Sequence, residues 1–334
     1  MTPDGTARVR GAIDGERLDR PPFGWWGHTY EREWSPRELA NVTVDRRRSF
    51  GWDFVKLQPR ACCFGEALGS EYRPSGRPDT GPVLVRPAVS DVEGWSRLPA
   101  VDAGSRALAD QVEALRLVVE ELGSGVPVIQ TVFSPLMVAG FLVGEDPPRM
   151  ARELLERPDV VEPALDRIAA MLADFSVRSI EAGAAGVFFA IAAFASADLV
   201  PPDAYAARVL PHDRAVLDAL PEAAWFNVLH LCGPRQRFDV ADRLALPVVS
   251  WSIHEAGNPS LAGGARMTDK TVMGGVDQAR TLVHGTPEEV ERQARAATQD
   301  TAGVGVIVAP GCSVAPRAPE ANLRALAAGV GANR

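Results

Sequence analysis

Eight short apolar runs punctuate the chain, and their spacing constrains the fold more than any other feature. They are Phe23–Trp26, Phe54–Gln58, Val128–Phe133, Gly186–Ile191, Trp225–His230, Pro247–Ser252, Val272–Val276 and Gly305–Ala309. Runs that are apolar almost throughout suit strands buried on both faces, as in a parallel sheet covered by helices. Longer helical patterns separate them. Residues 159–182 repeat apolar side chains at helical spacing and stop before Gly183; residues 105–122 stop at Gly123. Thr286-Pro-Glu-Glu-Val carries an N-cap threonine, proline at the first helical position and acids in the first turn. Eight strands alternating with helices predict an α/β fold, a (β/α)8 TIM barrel forming one domain over 1–334. Residues Glu71–Val92, rich in Pro, Gly and Arg, predict a hairpin or loop inserted after the second strand. A doubly wound open sheet is the rival, but neither G-x-G-x-x-G after the first strand nor G-x-x-x-x-G-K-[ST] occurs.

Charge and cysteine usage narrow the function classes. The 35 basic and 43 acidic residues leave a net charge of −8, which argues against a nucleic-acid partner. The longest basic run, Arg46-Arg47-Arg48, reads as a solvated helix face. Only two of the basic residues are lysines, Lys56 and Lys270. No apolar run approaches the roughly 20 residues that cross a bilayer, and the first residues lack a secretory core, so a cytoplasmic protein without a membrane partner is expected. Cys62, Cys63, Cys232 and Cys312 form no disulfide framework; they read as reduced thiols, buried or bound to metal.

A barrel of this kind carries its reactive residues at the C-terminal ends of the strands. There the sequence sets Trp25, Trp26, His28 and Tyr30 after the first run, Gln58 and Arg60 after the second, and Ser134 after the third. The fifth run delivers His230 and Cys232, the sixth Ser252, His254 and Glu255, the seventh Asp277, and the eighth Pro310-Gly-Cys312. His230 and Cys232 share one strand face, because side chains alternate with period two. A lone H-x-C pair completes no metal site, since zinc takes four ligands, or three and an open position. Cys312 can close a Cys2His set over the barrel mouth, with Glu255, His254, water or a substrate thiol fourth. A packed pair and a small buried cysteine are the other reading, and spacing alone leaves both open. Trp25 and Trp26 suit stacking on a planar or methylated substrate, or the core. His28 and Tyr30 suit acid–base work, or a solvated loop.

The segments His230-Leu-Cys-Gly, Met273-Gly-Gly-Val-Asp277, His284-Gly-Thr-Pro-Glu-Glu-Val290, Pro310-Gly-Cys312 and Ala318-Pro-Glu-Ala-Asn-Leu323 resemble the uroporphyrinogen decarboxylase superfamily. The likeness is to its corrinoid-linked and coenzyme M methyltransferase branch. Arg10-Gly-Ala-Ile-Asp-Gly-Glu16, Asp19-Arg-Pro-Pro22, Ser134-Pro-Leu and Glu181-Ala-Gly-Ala-Ala-Gly186 extend it through the N-terminal half. The resemblance implies the same barrel fold, and zinc on His230, Cys232 and Cys312. It also makes Asp277 the acid of a glycine-rich turn, orienting a ligand or capping the next helix.

The decarboxylases themselves are a poorer match. Gly24-Trp-Trp-Gly-His-Thr-Tyr30 holds no arginine, Lys56-Leu-Gln-Pro-Arg60 holds no aspartate, Phe141 falls where they place a tyrosine, and Cys312 where they place a histidine. The expectation is therefore a zinc-dependent methyl (alkyl) transferase. Its catalytic residues would be His28, Tyr30 and Asp277; its substrate-binding residues Trp25, Trp26, Gln58 and Ser134; its metal ligands His230, Cys232, Cys312 and Glu255. The expected partners are a small thiol or methylated substrate, a methylcorrinoid on a partner protein, and a second copy of the chain in a homodimer. The alternatives are a porphyrinogen decarboxylase and a non-catalytic barrel that binds metal or a small ligand.

Overall fold

The computed structural model describes residues 3–100, 102 and 104–332. Among the described residues nine strands form: β1 (Val55–Leu57), β2 (Glu71–Arg73), β3 (Val83–Arg86), β4 (Val128–Phe133), β5 (Gly186–Ala192), β6 (Val228–Leu231), β7 (Val248–Trp251), β8 (Thr271–Val276) and β9 (Val306–Pro310). Seven of them build one parallel sheet in the order β1-β4-β5-β6-β7-β8-β9. The segment around Phe23 closes it into a barrel. Gly24 N donates to Val308 O at 3.3 Å, Val308 N to Pro22 O at 2.9 Å, and Asp53 N to Phe23 O at 2.9 Å. The first expected strand is thus a single bridge, Phe23↔Val308, in the eighth staves' place. Its backbone turns away to bond elsewhere: Trp26 O accepts from Val314 N at 2.8 Å. The expected insertion is the antiparallel hairpin β2–β3, outside the alternation.

Period-two alternation sorts the strand residues between two cores. Trp26, Phe54, Ile129, Phe188, Phe226, Val248, Met273 and Ile307 fill the barrel interior, plugged from below by Val9 and Ala12 of the helix Gly5–Ile13. Val55, Leu57, Val128, Val132, Val187, Val249 and Val308 face outward into a second core against the helices. Those helices form where the sequence places them, Arg106–Leu122 and Pro158–Glu181 among them. Pro287–Asp300 opens on a full capping box between Thr286 and Glu289. Among the described residues no helix is long and apolar enough to cross a membrane. The arginine run is not simply solvated. Arg46 donates to Gly27 O at 3.0 Å and lies over the Trp25 ring, because the strand-one loop packs on that turn of the helix Pro36–Phe50.

One buried pair links stability to pH. Tyr205 Oη donates to Asp213 Oδ2 at 2.6 Å between the helices Pro202–Arg208 and Leu210–Leu217. Burial pushes the Asp213 carboxyl up to about 7 from its ordinary 3.8, only partly opposed by the tyrosine. A folded-state value raised above the unfolded one means the native protein holds the extra proton. That stability is full below pH 4 and is lost as pH rises through 7. Asp213→Asn has no proton to lose. Relative to wild type, its unfolding free energy should rise by up to about 4 kcal/mol between pH 4 and 8. Urea unfolding of both proteins across that range checks it; parallel pH profiles would refute the linkage.

Candidate metal centre

His230, Cys232 and Cys312 converge at the C-terminal mouth of the barrel. One ligand atom from each lies within 4.8 Å of the other two, and among the described residues this is the one group of three or more such side chains gathered closely enough to hold a metal ion. His230 comes from β6 and points inward, its ring centroid 4.8 Å from that of Phe188. Its Nδ1 lies 3.3 Å from Ser250 Oγ on β7. Cys232 follows at the strand end, and Gly233 turns the chain away with φ of 102°, a conformation that a side chain would strain. Gln236 Nε2 donates to Cys232 O at 2.7 Å, and Asn258 Nδ2 bridges Gly233 O at 2.9 Å and Ser252 O at 2.8 Å. The Asn258 amide thereby ties the β6 and β7 loops together.

Cys312 arrives from the far side of the barrel. Gly311 makes that approach possible, since a Cβ there would fall 2.5 Å from Ser252 Cα. The two sulfurs are 3.4 Å apart, with the Cys232 thiol donating to Cys312. That hydrogen bond, with the neighbouring His230, holds the Cys312 thiol well below its ordinary value. The hydrogen bond to Cys312, together with burial, pushes the Cys232 thiol up. A tetrahedral zinc ion with bonds of about 2.3 Å to sulfur and about 2.0 Å to nitrogen needs donor atoms roughly 3.5–3.8 Å apart. The sulfur separation of 3.4 Å comes close to that spacing, and two thiolates with an imidazole are the borderline-soft donors zinc prefers.

The other expected site residues divide by what they touch. Glu255 stands outside the three-atom group, at the half-buried start of the loop after β7, close enough to disfavour the Cys232 thiolate. His254 turns its Nε2 to Gly275 O at 3.3 Å. Trp26 faces the barrel interior, edge-on to Phe188 at 5.1 Å. Trp25 does not line the mouth: it turns outward against Phe50 and Trp52, because successive residues of an extended segment face opposite sides. Ser134 is fully buried and its hydroxyl caps the helix Pro135–Leu142 by accepting from Met137 N at 3.2 Å. Asp277 accepts from Ala279 N, Arg280 N and Arg280 Nε at 2.9–3.0 Å. Burial would raise its carboxyl, but those bonds win and hold it below the ordinary range, so it is a fixed turn anchor. Cys62 and Cys63 are buried away from water, and burial pushes the Cys62 thiol up to about 12.

His28 and Tyr30 stack with centroids 4.7 Å apart. Both His28 nitrogens are engaged: Nδ1 lies 2.8 Å from Glu33 Oε1, and Nε2 lies 2.8 Å from Gln58 Nε2. The amide can only donate, so Nε2 accepts and Nδ1–H donates to the carboxylate. Gln58 Oε1 then accepts from Lys56 Nζ at 2.5 Å. Glu33 and Lys56 were missed by reading strand ends alone. Lys56 does leave a signal, a lone charge at an inward position of an apolar run. Glu33, in a polar loop, leaves none. Burial lowers the Lys56 ammonium to about 7, while Cys312 and Glu33 pull it back upward.

Comparison with known proteins identifies the family of the chain. The family model described as uroporphyrinogen decarboxylase (URO-D) matches residues 27–332. A methylcobamide:CoM methyltransferase, MtbA, of Methanosarcina mazei is 24% identical over 86% of this chain and 82% of the relative. Another, MtaA of Methanosarcina barkeri, is 25% identical over 89% of this chain and 85% of its own. Among solved structures, a methyltransferase from Methanosarcina mazei superposes with a TM-score of 0.81 at 23% identity, covering 99% of both chains.

Proposed function

The chain belongs to the uroporphyrinogen decarboxylase family, and from that premise we propose that it is a methyltransferase acting on a thiol acceptor at a zinc ion held by His230, Cys232 and Cys312. The observation that carries the reading is the convergence of those three ligand atoms within 4.8 Å. Bound there, zinc would hold the acceptor sulfur and lower its pKa, so that the nucleophilic thiolate exists at neutral pH. The names of the relatives supply the class of donor and acceptor, a methylcobamide and coenzyme M. The donor in this protein is a methylcorrinoid presented by a partner protein, and the barrel acts as one unit.

The chain's own residues prepare the site. Phe188 and Ser250 fix the His230 ring, while Gly311 lets Cys312 reach across the mouth. Trp26 and Phe188 line the apolar interior, and the remaining position is left to the acceptor, since Glu255 stands outside the three-atom group. His28 is fixed in orientation between Glu33 and Gln58, which makes it a positioning residue with Tyr30 stacked over it. The purified protein should contain about one zinc per chain and convert methylcobalamin and 2-mercaptoethanesulfonate to the methyl thioether. Given uroporphyrinogen anaerobically, it should release no carbon dioxide above background. Robust formation of a four-carboxylate product without methyl transfer would replace this reading by decarboxylation.

A further inference from the structure

Lys56 is an isolated cation inside the barrel. It is 6% exposed, at the centre of β1, in a chain whose basic residues are otherwise nearly all arginine. Among the described residues no carboxylate lies within ion-pair distance, and its ammonium bonds to Gln58 Oε1. The rest of its surroundings are aromatic: Nζ lies 4.8 Å from the Phe188 centroid and 5.5 Å from that of Trp26. An ammonium in such a place is costly unless a negative charge faces it. Phe188 touches both the ammonium and the His230 imidazole, so one ring spans the gap between Lys56 and the sulfur group. Cys312 and Glu33 are the two acids whose charge favours the ammonium. Of these, Glu33 is spent on His28, Thr29 N and Ala61 N.

We infer that Lys56 is the counter-cation of the sulfur group, offsetting the negative charge that an acceptor thiolate adds to Cys232 and Cys312. The inference rests on the thiol-acceptor reading above. Two cysteine thiolates and a neutral imidazole balance a divalent ion, so a third thiolate leaves one negative charge in excess. Lys56 is the cation placed to neutralise it, in a low-dielectric interior where such a pairing is strong. Gln58 sets the ammonium in place, its amide held at the other end by His28. Lys56 is thus a positioning residue, acting on the acceptor through charge without contact.

The test uses cobalt(II)-substituted protein, whose thiolate charge-transfer band reports each sulfur bound. The probes are 2-mercaptoethanol, which adds a thiolate, and imidazole, which adds a neutral ligand. Lys56→Met should retain one cobalt per chain and the two-thiolate band. It should bind 2-mercaptoethanol at least about tenfold more weakly than wild type at pH 7.5, with imidazole affinity unchanged. Lys56→Gln, which keeps a polar partner for Gln58, should show the same split. Equal thiol affinity in variants and wild type, or parallel loss of both ligands, would overturn the inference while leaving the acceptor reading intact. No thiol uptake by the wild-type protein would overturn both.

Discussion

Cys312→Ser should reduce bound zinc from about one ion per chain to background, and methyl transfer to the thiol with it. Serine keeps the size and position of the side chain but replaces a soft, readily ionised sulfur with a hard hydroxyl that stays protonated. Cys312 is the cysteine whose thiol is held low, by the Cys232 hydrogen bond and His230, so its loss removes the more anionic donor. The barrel should remain folded, since the residue sits in the loop after β9 and no core volume is lost. In the wild type, zinc affinity should fall as pH drops below neutral, because both thiols and the imidazole must shed protons to bind. Metal analysis of wild type and variant, with far-UV circular dichroism as the folding control, decides the matter. Equal zinc in both would mean that Cys312 is a packed cysteine and no ligand.

A large loss of stability is expected from a substitution at the other end of the barrel. Asp53 is buried just before β1, where Oδ2 accepts from Arg20 Nη1 at 2.6 Å and Phe23 N at 2.9 Å. Its Oδ1 accepts from Arg20 Nη2 at 3.0 Å and Arg8 Nη1 at 3.1 Å. This carboxylate joins the plugging helix, the closing segment at Phe23 and the sheet. Asp53→Ala strands the Arg8 guanidinium, whose side chain is 8% exposed, with only Asp19 at its outer edge. Removing one partner of a buried charge network typically costs 3–5 kcal/mol; with Arg20 able to swing toward solvent, about 3 kcal/mol is expected here. The urea midpoint should drop at unchanged slope, and Asp53→Asn should recover part of the loss by keeping an acceptor for Phe23 N. A loss below about 1 kcal/mol would show that the closing segment does not depend on this carboxylate.

Much of the architecture was legible locally. The apolar runs at 128–133, 186–191 and 272–276 became strands, and the caps at Gly123 and Thr286 ended or began helices. Both outcomes depend on neighbours a few residues apart. Period two likewise put His230 and Cys232 on one side of β6 and its continuation. What could not be read was whatever depends on which groups meet across the closed barrel. Trp25 and Trp26 are equally apolar, and only the position of the helix Pro36–Phe50 determines which of them is turned outward. Ser134 and Asp277 stand at strand ends as reactive residues do, yet their oxygens are occupied by the turns that follow. The Phe23 run has strand composition, but its partners are Val308 and Asp53, one of them nearly the whole chain away.

The sequence by itself determined the alternation of strand and helix, the insertion after the second strand and the chemical types of the three clustered side chains, because each follows from local backbone preference or side-chain identity. Tertiary structure alone decided that Cys312 meets Cys232 at 3.4 Å across 80 residues, and that Lys56 is buried against Gln58 and the Phe188 ring. Such distances are set by the curvature that closes seven strands and one extended segment into a ring, and nothing within a single strand encodes that closure.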